Sequence, residues 1–136
     1  FGEALVINNP DLQPHFRYHM KQKGALMAKG RTLGIQFHSM LQNRLYFDLA
    51  EYANLLAAKL SSGIADLGYN FRYAPESNQI FPIFSNPIID KMMEDYGFYV
   101  WEKTDENNSC VRLVLSWASS DEQVRSFLDD LRKLTK

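Results

Sequence analysis

The clearest alternation of apolar and polar side chains lies near the end of the chain, in the segment CVRLVLSW at residues 110–117. One side of this segment is uniformly apolar and consists of Val111, Leu113, Leu115 and Trp117. The other side contains Val114 but also the guanidinium of Arg112. A period of two residues predicts a half-buried β-strand. The pattern leaves open what a charged group does on the second side.

Two segments have the three- and four-residue spacing of amphipathic helices. In the longer one the recurring apolar side chains are Leu45, Leu49, Tyr52, Leu56, Leu60, Ile64 and Leu67. Gly68 supplies a stop at its C-terminal end. The second helix follows Ser120, which forms a capping-box pattern with Gln123. Its apolar side chains are Val124, Phe127, Leu128, Leu131 and Leu134.

The segment before residue 45 also favours helix. Asp11 is a candidate cap for a helix over residues 12–23, and helical apolar spacing continues as far as Leu41. Gly24 and Gly30 interrupt this run, so we expect a weak or kinked point near Gly24.

Four shorter segments, residues 1–7, 69–74, 78–84 and 98–103, are typical of strands. Pro82 inside the third predicts an edge position or a bulge, and Asn86-Pro87 predicts the start of a short helix over residues 87–95. Trp101 and Trp117 are expected in the core. The order of elements predicts an α+β fold, in which long linking helices precede a small, mainly antiparallel sheet with helices packed on one face.

Composition fits a soluble globular domain, since 46% of the 136 residues are hydrophobic and 23% are charged. A net charge of −1 provides no broad field to attract nucleic acid or an anionic membrane surface, and no apolar run reaches the length of a membrane span. The single Cys110 excludes an internal disulfide and suits a reducing compartment. We therefore expect a cytoplasmic protein that binds neither nucleic acid nor membranes.

Candidate metal ligands and nucleophilic catalytic sets are sparse. His15 and His19 have the i, i+4 spacing of a ligand pair, but no third ligand accompanies them, and we predict no metal site. No serine has a positioned histidine. Residues 14–31 contain a basic cluster without any acid, formed by Arg17, Lys21, Lys23, Lys29 and Arg31.

Four motifs in this order resemble the C-terminal portion of threonine aldolases, which belong to the amino-acid β-eliminating lyase group of fold type I pyridoxal phosphate enzymes. The motifs are KQKGALMAKGRTLGIQF, ESNQIFPIF, YGFYVWEK and VRLVLSWASSDEQV. The resemblance implies that residues 1–43 are the end of a large domain with its linking helices, and that residues 44–136 are a small C-terminal α+β domain. It also implies that the lysine forming the Schiff base with the cofactor lies shortly before residue 1.

The function implied by this resemblance is cleavage of β-hydroxy-α-amino acids, such as threonine, to glycine and an aldehyde by a homodimer or homotetramer. The cofactor would be pyridoxal phosphate in the full-length protein and is not expected to bind this chain alone. The chain would then contain no catalytic residue and be inactive by itself. The alternative is a stand-alone, non-catalytic α+β module for binding or oligomerisation.

Within the resemblance, Arg112 corresponds to an arginine on a late small-domain strand that binds the substrate carboxylate. A planar guanidinium can hold a carboxylate through two parallel hydrogen bonds, which would fix the orientation of the amino acid on the cofactor. The alternative is an arginine on a solvent-facing or interface side of the sheet.

Met20-Lys21-Gln22 corresponds to a Met-Arg-Gln-type motif that reaches the cofactor phosphate of a neighbouring subunit in this family. Lys21 takes the place of the arginine, without its forked geometry. The preceding FRYH replaces a glycine run of the family, so Arg17 and Arg31 are alternatives for the phosphate contact. A solvated basic helix face is the other explanation for these three residues.

Overall fold

The structure, a computed structural model, describes residues 3–135. The chain divides into two compact units, the first ending at Tyr46 and the second beginning at Phe47. The helices are α1 (Phe16–Gln22), α2 (Arg31–Leu41), α3 (Leu45–Asp66), α4 (Asn86–Met92) and α5 (Asp121–Leu134). The strands are β1 (Gln79–Ile80), β2 (Ile83–Ser85), β3 (Tyr99–Lys103) and β4 (Asn108–Val114). This set confirms the predicted α+β class, while the assignment of residues 1–43 and 44–136 to two domains of an enzyme stays a prediction.

The first unit contains α1, α2 and their connections, and none of its described side chains is buried. The strand predicted at residues 1–7 is wrong for the described part, because residues 3–9 adopt no regular secondary structure. A strand needs a partner for its N–H and C=O groups, and none of the four described strands pairs with this segment. The side chain of Val6 is accordingly 81% exposed.

The helices of the first unit are shorter than the sequence suggested. Asn9, rather than Asp11, acts as a cap: its side chain accepts a hydrogen bond from the Asp11 N–H at 3.0 Å and begins a single 3-10 turn. The first α-helix follows only after His15, whose φ is 59°. The weak point near Gly24 is a complete break, with φ of 71° at Gly24, and the helix resumes at Arg31.

In the second unit, α3, α4 and α5 cover one face of the sheet. Their shared core contains Leu56, Ala57, Leu60 and Ile64 of α3, Ile89 and Met92 of α4, and Val124, Phe127 and Leu131 of α5. The sheet contributes Ile80, Phe84, Val111 and Leu113 to the same core. The predicted packing of helices on one face is confirmed. The predicted apolar stripe of α3 is buried only from its middle onwards, since Leu45 and Tyr52 are exposed.

All strand pairs are antiparallel, and each of the other strands pairs with β4. β2 and β3 occupy opposite edges of β4, because Ile83 and Glu102 both pair with Cys110. Phe81 and Pro82 separate β1 from β2. Pro82 has no N–H to donate, although its carbonyl accepts a hydrogen bond from the Val111 N–H at 3.0 Å. The sequence predicted an edge position or a bulge at Pro82, and the structure interrupts the strand at this residue.

Two further predictions differ from the structure. The strand expected at residues 69–74 is reduced to one bridge between Phe71 and Pro82. The two tryptophans are not in the core, since Trp101 is 48% and Trp117 67% exposed. Trp117 lies in a turn after β4 has ended at Val114, so the alternation of the strand no longer applies to it. Among the described residues, no helix combines the length and apolarity needed to cross a membrane.

Candidate functional site

The face of the sheet opposite α3, α4 and α5 carries the guanidinium noted in the sequence, and we call this surface the Arg112 face. It consists of Arg72, Tyr73, Phe81, Tyr99, Trp101, Glu102, Cys110 and Arg112. Alternation along β4 produces it: Val111 and Leu113 point into the core, so Arg112 between them points to the other side. Arg112 is half-buried, so the second side of this strand is neither core nor fully open to solvent at this position.

Arg112 is held by aromatic rings rather than by acids. Its guanidinium carbon lies 5.3 Å from the ring centre of Tyr99 and 5.3 Å from that of Trp101, within the range of cation–π attraction. Its Nε is buried and has no hydrogen-bond partner among the described residues. A buried donor left without a partner costs about 1–3 kcal/mol. The fold therefore maintains an arginine whose charge no acid in residues 3–135 neutralises.

A β-bulge brings both rings to the same guanidinium. Tyr99 pairs with Arg112 and Val100 with Val111, but Glu102 pairs with Cys110, so Trp101 is the extra residue. A bulge redirects the side chain at the inserted position. Because of this insertion Trp101 lies over the guanidinium, whereas the sequence placed it in the core. The continuous apolar run at the start of FYVWEK gives no sign of the extra residue.

The same bulge places Glu102 on the Arg112 face, where it binds a different arginine. The Arg72 Nε donates a hydrogen bond to the Glu102 Oε1 at 2.5 Å. The hydrogen bond and the charge of Glu102 raise the pKa of the Arg72 guanidinium. The Arg72 guanidinium carbon also lies 5.7 Å from the ring centre of Tyr73. Glu102 is thus paired with Arg72 and not with Arg112, although its cross-strand partner Cys110 is only two residues from Arg112.

A row of rings connects these two arginines. Tyr73 meets Phe81 edge-on with ring centres 5.4 Å apart, and Phe81 meets Trp101 in the same manner at 5.4 Å. Edge-to-face contacts of this kind add about 0.5–1.5 kcal/mol each beyond the area they bury. Trp101 thus contacts the Phe81 ring as well as the Arg112 guanidinium.

Cys110 belongs to the same side of β4 as Arg112 and is buried. Burial is the main cause that raises the pKa of its thiol, and the charge of Glu102 raises it further. The Sγ lies 3.7 Å from the carbonyl oxygen of Phe81. A thiol with a raised pKa in an enclosed position is a poor nucleophile, so we assign it a packing role.

The basic residues proposed for a phosphate contact lie in the first unit, and all three are exposed. Arg17 and Lys21 are on α1, and Lys21 is in its last turn, where a cation suits the helix dipole. Arg31 is the first residue of α2. The Leu33 and Gly34 N–H groups at this helix start already donate to the Gly30 carbonyl oxygen. The guanidinium of Arg31, and not the helix end, is therefore what could meet an anion.

All three histidines, His15, His19 and His38, lie at helix ends. His15 precedes α1, with its ring centre 6.1 Å from that of Tyr18, and His38 lies in the last turn of α2. Within residues 3–135, no group of three His, Cys, Asp or Glu side chains is placed to hold a metal ion.

A cavity of about 360 Å³ opens on the helix side of the second unit. Its walls include Tyr96, Phe98, Leu115, Ser119, Gln123 and Phe127. Arg112 does not line it, and the only ionisable acid in its wall is Asp95. No lysine or arginine lines the cavity, so it supplies no cation for the carboxylate of an amino acid.

Comparison with known proteins finds curated relatives and related solved structures. No model of a protein family matches the chain. Low specificity L-threonine aldolase of Pseudomonas aeruginosa is 32% identical over 133 residues, covering 96% of this chain and 37% of that protein. The protein of the same name from a Pseudomonas strain is 30% identical over 133 residues, with the same coverage. The chain thus spans little more than a third of the length of the curated relatives it matches.

Solved structures show the same relationship. A threonine aldolase of Leishmania major matches 92% of this chain with a TM-score of 0.87 and 36% identity, over 36% of its own length. Serine palmitoyltransferase of Sphingomonas wittichii matches 61% of the chain with a TM-score of 0.51 and 18% identity, which shows a likeness of fold alone. The resemblance stated from the four sequence motifs is confirmed.

Proposed function

Because this chain is a homologue of the threonine aldolases over nearly all of its 136 residues, we propose that it is the small-domain part of a pyridoxal phosphate-dependent aldolase. The reaction would cleave a β-hydroxy-α-amino acid such as threonine to glycine and an aldehyde. Since the chain spans 37% of its curated relatives, the rest of the active site would come from polypeptide outside these residues.

The observation that carries the proposal is the uncompensated guanidinium of Arg112. It is half-buried, lacks an ion-pair partner among residues 3–135, and lies 5.3 Å from the centres of two aromatic rings. Such a group fits the carboxylate of an amino acid, which it can hold through two parallel N–H donors. Holding the carboxylate fixes which bond to the α-carbon is aligned for cleavage. Pyridoxal phosphate, when bound, supplies the electron sink for the cleaved bond.

The residues of the first unit have a supporting role in this proposal. Lys21, Arg17 or Arg31 would provide the cation for the cofactor phosphate of a neighbouring subunit, in a homodimer or homotetramer. No Asp or Glu occurs between Asp11 and Asp48, so a phosphate would meet no repelling acid of this segment. A cytoplasmic location is part of the same proposal.

The test uses Arg112→Lys in the full-length, cofactor-loaded protein. Lysine keeps the charge but loses the forked geometry, and we expect kcat/KM for threonine to fall by about thirtyfold, corresponding to a loss of about 2 kcal/mol in a buried ion pair. The matched control is Arg125→Lys, on the exposed surface of α5, which should change kcat/KM by less than about twofold. Unchanged kinetics in Arg112→Lys would remove Arg112 from the site.

A non-catalytic module for binding or oligomerisation is the second candidate, and the exposed apolar side chains of the first unit favour it. Examples are Leu5, Leu12, Met27 and Ile35. The two functions differ in a direct assay: the 136-residue chain mixed with pyridoxal phosphate and threonine should release no acetaldehyde under the first proposal, whereas the full-length protein should. If the full-length protein also releases none, the module is favoured.

A further inference from the structure

We propose that Tyr99 and Trp101 are positioning residues that hold the Arg112 guanidinium by their ring faces, and that Arg72 keeps Glu102 from neutralising it. The site would thereby present a free positive charge to a small carboxylate. This inference rests on the proposed role of Arg112 in carboxylate binding and adds the residues that make Arg112 available.

The first step concerns what kind of partner fixes an arginine. A carboxylate partner would orient the guanidinium but also compensate its charge, and a ligand would have to displace it. A ring face attracts the cation through its quadrupole and leaves the net charge in place. Tyr99 and Trp101, both 5.3 Å from the guanidinium carbon, therefore orient Arg112 without competing for its ligand.

The second step concerns which atoms remain for the ligand. A guanidinium has five N–H donors in a fixed fork. The Nε of Arg112 is enclosed and unpartnered within residues 3–135, so it is not accessible to an incoming group. The two terminal nitrogens then offer the end-on pair of donors that matches a single carboxylate.

The third step concerns the nearby acid. Glu102 pairs with Cys110 on β4, and Arg112 is the next residue of β4 on that same side. Diagonal neighbours on one face of a sheet are within reach of long side chains. Arg72 engages the Glu102 carboxylate through a hydrogen bond of 2.5 Å, and no ion pair joins Glu102 to Arg112. Arg72 thus protects the charge of Arg112 although it need not contact the ligand.

The experiment measures acetate binding by the ¹⁵N-labelled 136-residue chain, through the arginine Nε–Hε signals in nuclear magnetic resonance. The Arg112 signal is assigned by its loss in Arg112→Lys. Sodium acetate should shift it saturably, and sodium chloride at equal ionic strength should not. Trp101→Leu should weaken acetate binding by about fivefold, the loss expected for one cation–π contact, and Trp101→Phe should restore it to within about twofold.

Matched variants separate positioning from general disturbance. Trp117→Leu removes an exposed tryptophan outside the Arg112 face and should leave acetate binding unchanged. Tyr99→Leu should weaken binding in the same manner as Trp101→Leu. Because Tyr99 is 69% exposed, its replacement keeps the test available if Trp101→Leu does not fold.

Arg72 is tested by a pair of variants. Arg72→Gln frees the Glu102 carboxylate and should weaken acetate binding, whereas Arg72→Gln combined with Glu102→Gln should restore it. Equal weakening in the single and the double variant would refute the role assigned to Arg72.

The inference is overturned if acetate causes no saturable shift in the wild-type chain, or if Trp101→Leu and Tyr99→Leu bind acetate as the wild type does. It is also overturned if Trp117→Leu weakens binding as much as Trp101→Leu. The proposed function fails separately, through unchanged threonine cleavage in Arg112→Lys, and that result can occur while the acetate measurements still hold.

Discussion

Tyr99 lies directly opposite Arg112 in the β3–β4 ladder, with its ring centre 5.3 Å from the guanidinium carbon. Cross-strand neighbours are the closest side-chain pairs that a sheet provides, so the position of Arg112 follows from strand register. Arg72, Arg125 and Arg132 differ from it, because each of them is paired with an acid. Arg112 has no ion pair among residues 3–135, and it is the arginine that we propose to bind the substrate carboxylate.

Replacing Ile64 by alanine should destabilise the second unit strongly. Ile64 is fully buried in the core that α3 forms with the sheet and α5, and removal of such a side chain costs about 2–5 kcal/mol. Leu55→Ala, on the same helix but 58% exposed, should change the free energy of unfolding by about 0.5 kcal/mol or less. Urea unfolding followed by circular dichroism measures both. Similar losses in the two variants would contradict the assigned core.

The start of α5 should depend on its capping box. The Ser120 Oγ accepts a hydrogen bond from the Gln123 N–H at 3.2 Å, and the Gln123 side chain accepts one from the Ser120 N–H at 2.8 Å. Ser120→Ala should lower the free energy of unfolding by about 1 kcal/mol. The control is Ser62→Ala, an exposed serine within α3, which should be neutral or slightly stabilising because alanine favours helix. Equal free energies of unfolding in the two variants would show that the cap does not stabilise α5.

Stability should fall at alkaline pH through Tyr96. Burial, followed by its hydrogen bond of 2.8 Å to Asp130, raises the pKa of Tyr96 to about 12 from an ordinary value of 10.0. The neutral phenol is therefore favoured in the folded state, and its contribution is fully present below pH 10. Between about pH 10 and 12 the unfolded chain loses the proton first, so the free energy of unfolding decreases as pH rises.

Comparing variants isolates this contribution. Unfolding midpoints of the wild type and Tyr96→Phe should converge as pH rises from 9 to 12, since the phenylalanine variant lacks the group concerned. A constant difference between wild type and Tyr96→Phe would show that Tyr96 does not titrate as stated.

The thiol of Cys110 should be unreactive in the folded chain. It is buried and its pKa is raised, so both access and thiolate content are low. At pH 8 a disulfide reagent such as dithionitrobenzoate should react only as fast as the chain unfolds, and immediately in urea. Ser62→Cys adds an exposed thiol, and this variant should show one fast and one slow equivalent. Two fast equivalents would place Cys110 at the surface.

Much of the second unit follows from residue spacing alone. The alternation around Val111 and Leu113 predicts β4, and the capping pattern of Ser120 and Gln123 predicts the start of α5. These elements bury one face against each other within the same unit, so local pattern and packing agree. The strand predicted at residues 1–7 has the same kind of pattern but no described partner, and pattern alone does not supply one.

The candidate site was only partly predictable. The sequence singled out Arg112, since a guanidinium on a mostly apolar strand is unusual, but it gave Trp101 the wrong surroundings. The register shift between Val100 and Glu102 decides which side each residue of β3 faces, and a single inserted residue leaves no mark in composition or periodicity. The contact between Arg72 and Glu102 joins positions thirty residues apart and depends on the same shift.

The bulge at Trp101 also affects whether the free edge of β3 can pair with a strand of another molecule. Among the described strands β3 pairs only with β4, so its outer edge exposes backbone donors and acceptors that could template another molecule. Flat, regular edges are the ones that nucleate intermolecular sheets, and a twisted edge carrying charges resists them. With an irregular step at Trp101 followed by Glu102 and Lys103, β3 offers an incoming strand no continuous ladder, which protects the chain from edge-to-edge aggregation.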